Sequence, residues 1–138
     1  MNSVTSKILI CLIVLFSANS YSQQGNTMIG SWEVVTIGEK MLTEKNKPTL
    51  MFLEDGKIAG STGCNKYNAT FTQTNDELDI SRVVSTRRAC AQDSVMMQEV
   101  AFLNAIRTAS QLEYHNGSEI KLVNQDKALN IVLKKLDE

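Results

Sequence analysis

The sequence predicts an α+β fold, in which a curved, mainly antiparallel sheet of about seven to eight strands packs with one main α-helix. Short β-branched segments with turn residues between them occur on both sides of residues 93–109. That central stretch contains no Gly or Pro and is rich in Met, Ala, Gln, Glu and Leu, which indicates a helix. Strands and helices do not alternate as they do in a parallel sheet. The nearest alternative is an all-β barrel with a peripheral helix.

Each strand is predicted from local alternation and from the turn that follows it. Asp55-Gly56 predicts one turn, and Asn116-Gly117 predicts a type I′ hairpin. Asp93 is an acceptable N-cap for the helix, which is expected to end at about Ala109. The expected strands are Trp32–Ile37, Thr49–Leu53, Lys57–Thr62, Tyr67–Thr72 and Glu77–Ile80 before the helix, then segments around Leu112 and Tyr114, around Ile120 and Leu122, and around Leu129, Ile131 and Leu133.

The pattern of residues 1–22 is typical of a cleaved N-terminal signal peptide. Lys7 provides the positive charge, Ile8–Phe16 is an apolar run, and Ser17–Ser22 precedes the expected cleavage site. The run is shorter than the roughly 20 residues that a membrane-spanning helix needs. Cys11 lies inside it, which is the wrong place for lipid attachment. We therefore expect a periplasmic or secreted protein that is not a lipoprotein, with a short lead over residues 23–28 and one domain over residues 29–135.

The charge of the mature chain is nearly balanced. Removal of residues 1–22 leaves 116 of the 138 residues, with 13 basic and 15 acidic side chains. This balance implies neither nucleic acid nor an anionic membrane as a partner. We expect a monomer without a cofactor, with no integral membrane segment after cleavage, and with an envelope protein or a small molecule of unknown identity as its partner.

Two cysteines remain after cleavage, Cys64 and Cys90. In an oxidising compartment, such a pair in a small domain is expected to form a disulfide bond. Closing this loop would stabilise the fold by about 3 to 4 kcal/mol.

Glu99 is the most unusual residue of the predicted helix. At about 100° per residue, the helix places Glu99 within an apolar arc. A carboxylate in that position is expected to be protonated, to reach an edge, or to accept hydrogen bonds from a cation or from backbone amides. Arg87 is the cation we expect, in an ion pair between helix and sheet; the alternative role for Glu99 is that of a binding-site acid. The arc consists of Val95, Met96, Val100, Phe102, Leu103, Ile106 and Ala109.

A candidate structural or ligand-binding cluster consists of Asn65, Tyr67, Arg87 and Glu99. Asn65 is expected to cap a sharp turn, and binding a ligand is the alternative. No residue is assigned a catalytic role, and no metal site is expected. His115 adjoins a turn, and the two cysteines lack Cys-x-x-Cys spacing.

The glycines of Gly60-Ser61-Thr62-Gly63 are expected to permit a bulge or close backbone packing. The segment lacks the context of a nucleophile elbow, which requires a strand-to-helix turn, a base and an orienting acid.

Three parts of the sequence together resemble the META domain (HslJ-like) family. They are the run Gly60-Ser61-Thr62-Gly63-Cys64-Asn65-Lys66-Tyr67-Asn68, the run Ser85-Thr86-Arg87-Arg88-Ala89-Cys90, and a helix that carries Glu99 and Phe102. The resemblance covers about Ile29 to Lys134. It implies a compact envelope-exposed or secreted domain associated with heat stress and novobiocin tolerance, which are phenotypes and not reactions. Unlike the lipoproteins of that family, this chain has no usable lipid-attachment cysteine.

Three function classes follow. The first is a non-catalytic exported envelope protein, related to stress or antibiotic tolerance, that acts by binding. The second is a proteinaceous inhibitor of a secreted hydrolase. The third is an enzyme that uses Glu99 and Arg87, or a free Cys64.

Overall fold

The structure, a computed structural model, describes residues 27–42 and 44–137. The predicted signal peptide, its cleavage site and Cys11 lie outside this part of the chain. Within it there are nine strands, one α-helix and one 3₁₀ turn. None of its helices has the length and apolar character that crossing a membrane requires. The elements are β1 Gly30–Ile37, β2 Lys40–Met41, β3 Thr49–Phe52, β4 Lys57–Ser61, β5 Lys66–Thr74, β6 Glu77–Ser85, α1 Asp93–Thr108, β7 Ala109–Asn116, β8 Glu119–Asn124, the 3₁₀ turn Lys127–Leu129, and β9 Ile131–Lys135.

The antiparallel sheet closes into an eight-stranded barrel. The strands follow the order β1-β3-β4-β5-β6-β7-β8-β9, and β9 pairs back onto β1. Trp32 shows the closure directly, since it is opposite Leu50 of β3 and also opposite Lys135 of β9. The two-residue β2 adds to the end of β1. The predicted antiparallel strands and single main helix are therefore confirmed among the described residues, but the predicted curved sheet is a closed barrel.

Register shifts help the sheet to curve, among them one in β1 and one where β5 pairs with β6. The first lies between Val34 and Thr36, where β1 meets β9, and the second lies between Asn68 and Thr70, where β5 meets β6. Such bulges bend a strand and increase its twist. At the second shift, Arg82 has a φ of 52°, a left-handed conformation that is rare outside glycine.

The junction between β6 and β7 has the shortest paired ladder of the barrel. These strands pair at Glu77 and Gln111, and β6 then continues to Ser85, beyond the predicted end at Ile80. The helix α1 connects the two strands and packs against β6, β1 and β8. It thereby joins the two strands whose direct pairing is shortest.

The barrel interior is filled by alternate residues of the strands. The Tyr67 ring meets the Phe102 ring edge to face, with centroids 5.4 Å apart, and this contact joins β5 to α1. Met28, which the sequence places in the lead, is buried, and its carbonyl accepts a 2.7 Å hydrogen bond from Trp32 Nε1. The largest fully buried side chains include Trp32, Phe52, Tyr67, Phe102, Leu50, Ile58, Ile106, Leu112, Ile120, Leu122 and Ile131.

The helix has a narrower apolar face than the sequence predicts. Phe102, Leu103 and Ile106 are buried as expected, but Met96 and Val100 are 42% and 60% exposed. One side of α1 contacts the barrel, so the edge of the predicted arc faces solvent. The N-cap is Gln92 and not Asp93, and it makes no side-chain capping hydrogen bond.

The hairpin at Asn116-Gly117 forms, but its turn is not type I′. That type requires a positive φ at both central residues, and neither Gly117 nor Ser118 has one. Asn116 instead uses its side chain, since Oδ1 accepts hydrogen bonds from Ser118 N at 2.8 Å and from Ser118 Oγ at 2.9 Å. The prediction missed this because Asn can stabilise a turn through its side chain as well as through its backbone.

Candidate functional site

The disulfide bond joins two segments that are distant in sequence. Cys64 lies in the turn between β4 and β5, and Cys90 lies in the segment between β6 and α1. The structure pairs them as predicted, with their Cα atoms 5.8 Å apart. Such a bond fits an oxidising compartment outside the cytoplasm.

The turn that contains Cys64 is closed by Thr62. Thr62 N donates to the Asn65 carbonyl at 2.8 Å, and Asn65 N donates to Thr62 Oγ1 at 2.8 Å. Gly63 has a φ of +94°, and a Cβ there would overlap the Asn46 carbonyl oxygen. The predicted capping role of Asn65 therefore belongs to the Thr62 hydroxyl, and the Asn65 side chain extends across to other segments.

The side-chain amide of Asn65 pairs with the backbone of Arg88. Oδ1 accepts from Arg88 N at 2.9 Å and from Thr86 Oγ1 at 2.9 Å. Nδ2 donates to the Arg88 carbonyl at 3.1 Å, and also to the carboxylate of Glu99. Asn65 is 1% exposed, so water could not replace a protein partner that its side-chain amide lacked. Both ends of its amide are instead fully hydrogen-bonded.

Glu99 is held by uncharged partners. Asn65 Nδ2 lies 3.1 Å from Oε1 and 3.0 Å from Oε2, and the Thr62 hydroxyl donates a short hydrogen bond to Oε2. Arg87 is exposed and forms no ion pair with Glu99 in residues 27–42 and 44–137. The expected ion pair is thus replaced by an amide and a hydroxyl. The reason is that the Asn65 amide, which is bonded to the backbone of Arg88, also reaches the Glu99 carboxylate.

We call Thr62, Cys64, Asn65, Arg88, Cys90 and Glu99 the disulfide cluster. Arg88 completes it, since its Nη2 donates to the Cys64 carbonyl at 3.0 Å. Beside it is a surface cleft of about 330 Å³, which both half-buried cysteines help to line. Other residues that line the cleft are Asn46, Gly63, Gln92 and Val95.

Tyr67, the fourth predicted member of the cluster, belongs to the core. Its hydroxyl donates to the Thr49 carbonyl at 3.0 Å, and the side chain is 1% exposed. Burial raises the pKa of the Tyr67 phenol well above its ordinary value. Gly60 gives this ring its space, because a Cβ there would overlap the Thr49 carbonyl oxygen and lie 2.9 Å from Tyr67 Cε1. The close packing expected of these glycines is confirmed at Gly60.

Three metal-ligating side chains converge in the disulfide cluster. The sulfur atoms of Cys64 and Cys90 and a carboxylate oxygen of Glu99 lie within 4.8 Å of one another. While the sulfurs are bonded to each other, they are not available as thiolate ligands. His115, the only histidine of the sequence, is exposed on β7 and is not part of this group.

Sequence reasoning thus found Asn65 and Glu99 but missed the residues that connect them. Thr62, Thr86 and the Arg88 backbone act through hydrogen bonds. The Thr62-x-x-Asn65 spacing is compatible with a hydroxyl-capped turn. No comparable sequence feature points to the role of the Arg88 backbone.

The chain belongs to the META domain family, which it matches over residues 15–136. This confirms the resemblance drawn from the cysteine-containing motifs. None of the curated proteins matches the chain.

Solved structures with this fold include two determined by NMR. One is 21% identical, with a TM-score of 0.62, and the match covers 76% of this chain and 87% of the other. The second, a protein from Burkholderia xenovorans, is 19% identical with a TM-score of 0.62, covering 79% of this chain and 83% of the other. A DUF4847 family protein from Bacteroides vulgatus ATCC 8482 is 14% identical with a TM-score of 0.55, covering 79% and 94%. At these identities the similarity shows the fold alone.

Proposed function

We propose that this chain is an exported META domain protein of the bacterial envelope that acts by binding, without catalysing a reaction. Its family membership supports the class of protein, and the Cys64–Cys90 bond supports an oxidising location. A role in tolerance of stress or antibiotics is part of this proposal and rests on the family resemblance.

The observation that carries the proposal is the segment over residues 86–92, between β6 and α1, which we call the disulfide loop. All of its residues except the half-buried Cys90 are exposed. The loop is fixed by the bond to Cys64, by the pairing of Arg88 with Asn65, and by the 2.9 Å bond from Thr86 N to the Lys66 carbonyl. A loop that is ordered before binding loses less conformational entropy when a partner docks.

The chemically reactive groups nearby are used for structure, which also supports binding over catalysis. The Glu99 carboxylate accepts hydrogen bonds from Asn65 and Thr62, and the Cys64 sulfur is in a disulfide. Glu99 and Arg87 make no contact of the kind that a joint catalytic role requires, as far as the described residues go.

A binding assay with matched arginine variants tests the role of the loop. The exported chain serves as bait in a cross-linked envelope extract, beside Arg87→Ala in the disulfide loop and Arg107→Ala in the last turn of α1, both exposed. We expect one specific partner that wild type and Arg107→Ala retain and that Arg87→Ala loses. If Arg87→Ala and Arg107→Ala captured the partner equally well, Arg87 and the disulfide loop would not contribute to binding.

An activity screen tests the absence of catalysis. Purified protein is incubated with ester, phosphate, peptide and glycoside substrates, beside Glu99→Gln and Cys64→Ser. We expect no turnover. Turnover that either substitution abolishes would identify an enzyme and overturn the proposal.

The second candidate function is inhibition of a secreted hydrolase. The disulfide loop favours it specifically, because an exposed and covalently fixed loop can occupy a hydrolase cleft without ordering first. Residual activity of a panel of proteases and lysozymes, measured with wild type, Arg87→Ala and Arg107→Ala, tests it. Inhibition that only Arg87→Ala loses would favour this function over general binding.

A further inference from the structure

We propose that the reduced chain binds a thiophilic divalent cation, zinc for example, through Cys64 Sγ, Cys90 Sγ and a carboxylate oxygen of Glu99. This goes beyond the proposed function, since it concerns a second chemical state of the disulfide cluster. The three ligand atoms come from the β4–β5 turn, the disulfide loop and the helix α1. The sequence does not show this site because the ligands are separated by 26 and 9 residues and lack a metal-binding spacing.

The distances suit a single metal ion. The three ligand atoms lie within 4.8 Å of one another. Zinc binds thiolate sulfur at about 2.3 Å and carboxylate oxygen at about 2.0 to 2.2 Å, so in a tetrahedral site two ligand atoms of one ion lie roughly 3.5 to 3.8 Å apart. After the bond opens, side-chain rotation has to move the two sulfurs apart to this spacing while the carboxylate oxygen stays beside them. Water would take the fourth position, as it does in zinc sites with three protein ligands.

The Glu99 carboxylate is held in place by hydrogen bonds and keeps acceptor capacity for a cation. Among the hydrogen bonds of the described residues, Glu99 Oε1 accepts one, from Asn65 Nδ2, which leaves a lone pair for a cation. Thr62 and Asn65 hold the other oxygen. Hydrogen-bonded supports of this kind orient the ligands of a metal site.

Charge and access are also favourable. Two thiolates and one carboxylate carry three negative charges, of which the cation neutralises two, and the Arg88 guanidinium, 3.0 Å from the Cys64 carbonyl, lies close enough to offset the third. Both cysteines line the surface cleft of about 330 Å³, so a reductant and an ion can reach the sulfurs from solvent.

The chemical step balances with a dithiol as reductant. The dithiol gives two electrons and two protons to the Cys64–Cys90 bond, which breaks into two thiols, while the dithiol closes to its own disulfide. Binding of the divalent cation then forms two metal–sulfur bonds and releases the two thiol protons to solvent. Reoxidation of the cysteines expels the ion, so the oxidised and metal-bound forms exclude each other.

The test is a titration of the full chain with zinc and with cobalt as a spectroscopic probe. All samples carry Cys11→Ser, so that Cys64 and Cys90 are the only thiols, and lack a histidine tag. We expect the reduced chain to bind one equivalent of zinc and the oxidised chain none. With cobalt, the reduced chain should show a thiolate charge-transfer band and the visible bands of a tetrahedral site.

Variants assign the ligands. Loss of a residue that only hydrogen-bonds a metal ligand weakens metal binding roughly 10- to 100-fold. Because Glu99 is proposed as a ligand itself, Glu99→Gln should weaken zinc binding by at least about tenfold. Glu39→Gln, an exposed carboxylate in the turn between β1 and β2, should leave it unchanged. The Cys64→Ser, Cys90→Ser double variant should not bind.

Two results would overturn the proposal. One is a reduced chain that binds zinc no better than the double cysteine variant, or equally well with Glu99→Gln. The other is a reduced chain that loses its far-ultraviolet circular dichroism and does not recover it with zinc, because the site requires the folded cluster.

Discussion

The side-chain amide of Asn65 donates to both carboxylate oxygens of Glu99, at 3.1 and 3.0 Å. The same amide nitrogen donates to the Arg88 carbonyl at 3.1 Å. One buried amide thus connects the turn after β4, the disulfide loop and the helix α1, which packs against the barrel. Because its partners are uncharged, Glu99 gains hydrogen bonds here and no ion pair.

Removal of either member of this contact should destabilise the fold. Asn65→Ala removes the side-chain partner of the Arg88 N–H and carbonyl and leaves Glu99, among the described residues, with the Thr62 hydroxyl alone, and we expect a loss of about 2 to 4 kcal/mol in the free energy of unfolding. Glu99→Ala should cost about 1 to 3 kcal/mol. The double variant should lose less than the sum, with a coupling of about 0.5 to 3 kcal/mol. Urea unfolding followed by circular dichroism measures all three values.

Arg87→Ala is the control for this cycle. Its side chain is exposed and contributes no ion pair to Glu99, so the change should stay within about 0.5 kcal/mol. If Arg87→Ala instead lowered the free energy of unfolding by more than about 1 kcal/mol, and this loss were non-additive with that of Glu99→Ala, the ion pair predicted from the sequence would exist.

The disulfide bond should be present in the purified protein and should contribute strongly to stability. The Cys64→Ser, Cys90→Ser double variant should lose about 3 to 4 kcal/mol, since the bond closes a loop across 26 positions of the chain. Intact mass and thiol labelling of the unfolded, non-reduced protein report the bond itself. Two reactive thiols from Cys64 and Cys90 in that experiment would refute it.

Local sequence patterns predicted most strands because each depends on its own alternation and turns. They did not predict closure, since the pairing of β1 with β9 joins segments at opposite ends of the domain. They also missed β2, which has two residues and therefore no detectable alternation. The predicted end at Ile80 is earlier than the observed end of β6, because the exposed residues after Ile80 interrupt the period at the Arg82 bulge.

The site was predictable only where a residue was unusual in its local context. Glu99 stood out because it was a charge within an apolar arc, and Asn65 because it followed a glycine and a cysteine. Their contact was not predictable, since a helix projection gives the direction of a side chain and not its partner. Tyr67 follows Asn65 closely in sequence, but its ring enters the core while the Asn65 amide reaches the disulfide loop.

Gly60 should not tolerate a side chain. A Cβ at this position would overlap the Thr49 carbonyl oxygen, which is backbone and cannot rotate away. We expect Gly60→Ala to lose at least about 1 to 3 kcal/mol in the free energy of unfolding. Gly117→Ala is the matched control, because nothing lies within 4 Å of a Cβ there. Thermal and urea unfolding of the two variants compare them; equal stability would mean that β3 and β4 can separate without cost.

The stability of the protein should fall in alkaline solution because of Tyr67. Burial raises the pKa of this phenol in the folded state, so the folded chain keeps its proton where the unfolded chain loses it. Below the ordinary tyrosine pKa of about 10, both states are protonated and Tyr67 adds no pH dependence. Above it, the unfolded state binds fewer protons, and the free energy of unfolding should fall by up to about 1.4 kcal/mol per pH unit.

Tyr67→Phe separates this effect from the titration of other groups. The variant loses the hydrogen bond to the Thr49 carbonyl, so near neutral pH it should be less stable than wild type by about 0.5 to 1.5 kcal/mol. Its alkaline slope should be shallower, because it has no buried phenol to ionise on unfolding, and the two stability curves should approach each other and cross as the pH rises. Tyr114→Phe, at a half-buried position on β7, is the control for removal of a tyrosine hydroxyl outside the core. Urea unfolding at a series of pH values from neutral to above 10 measures the slopes, and parallel curves for wild type and Tyr67→Phe would show that Tyr67 does not carry the alkaline sensitivity.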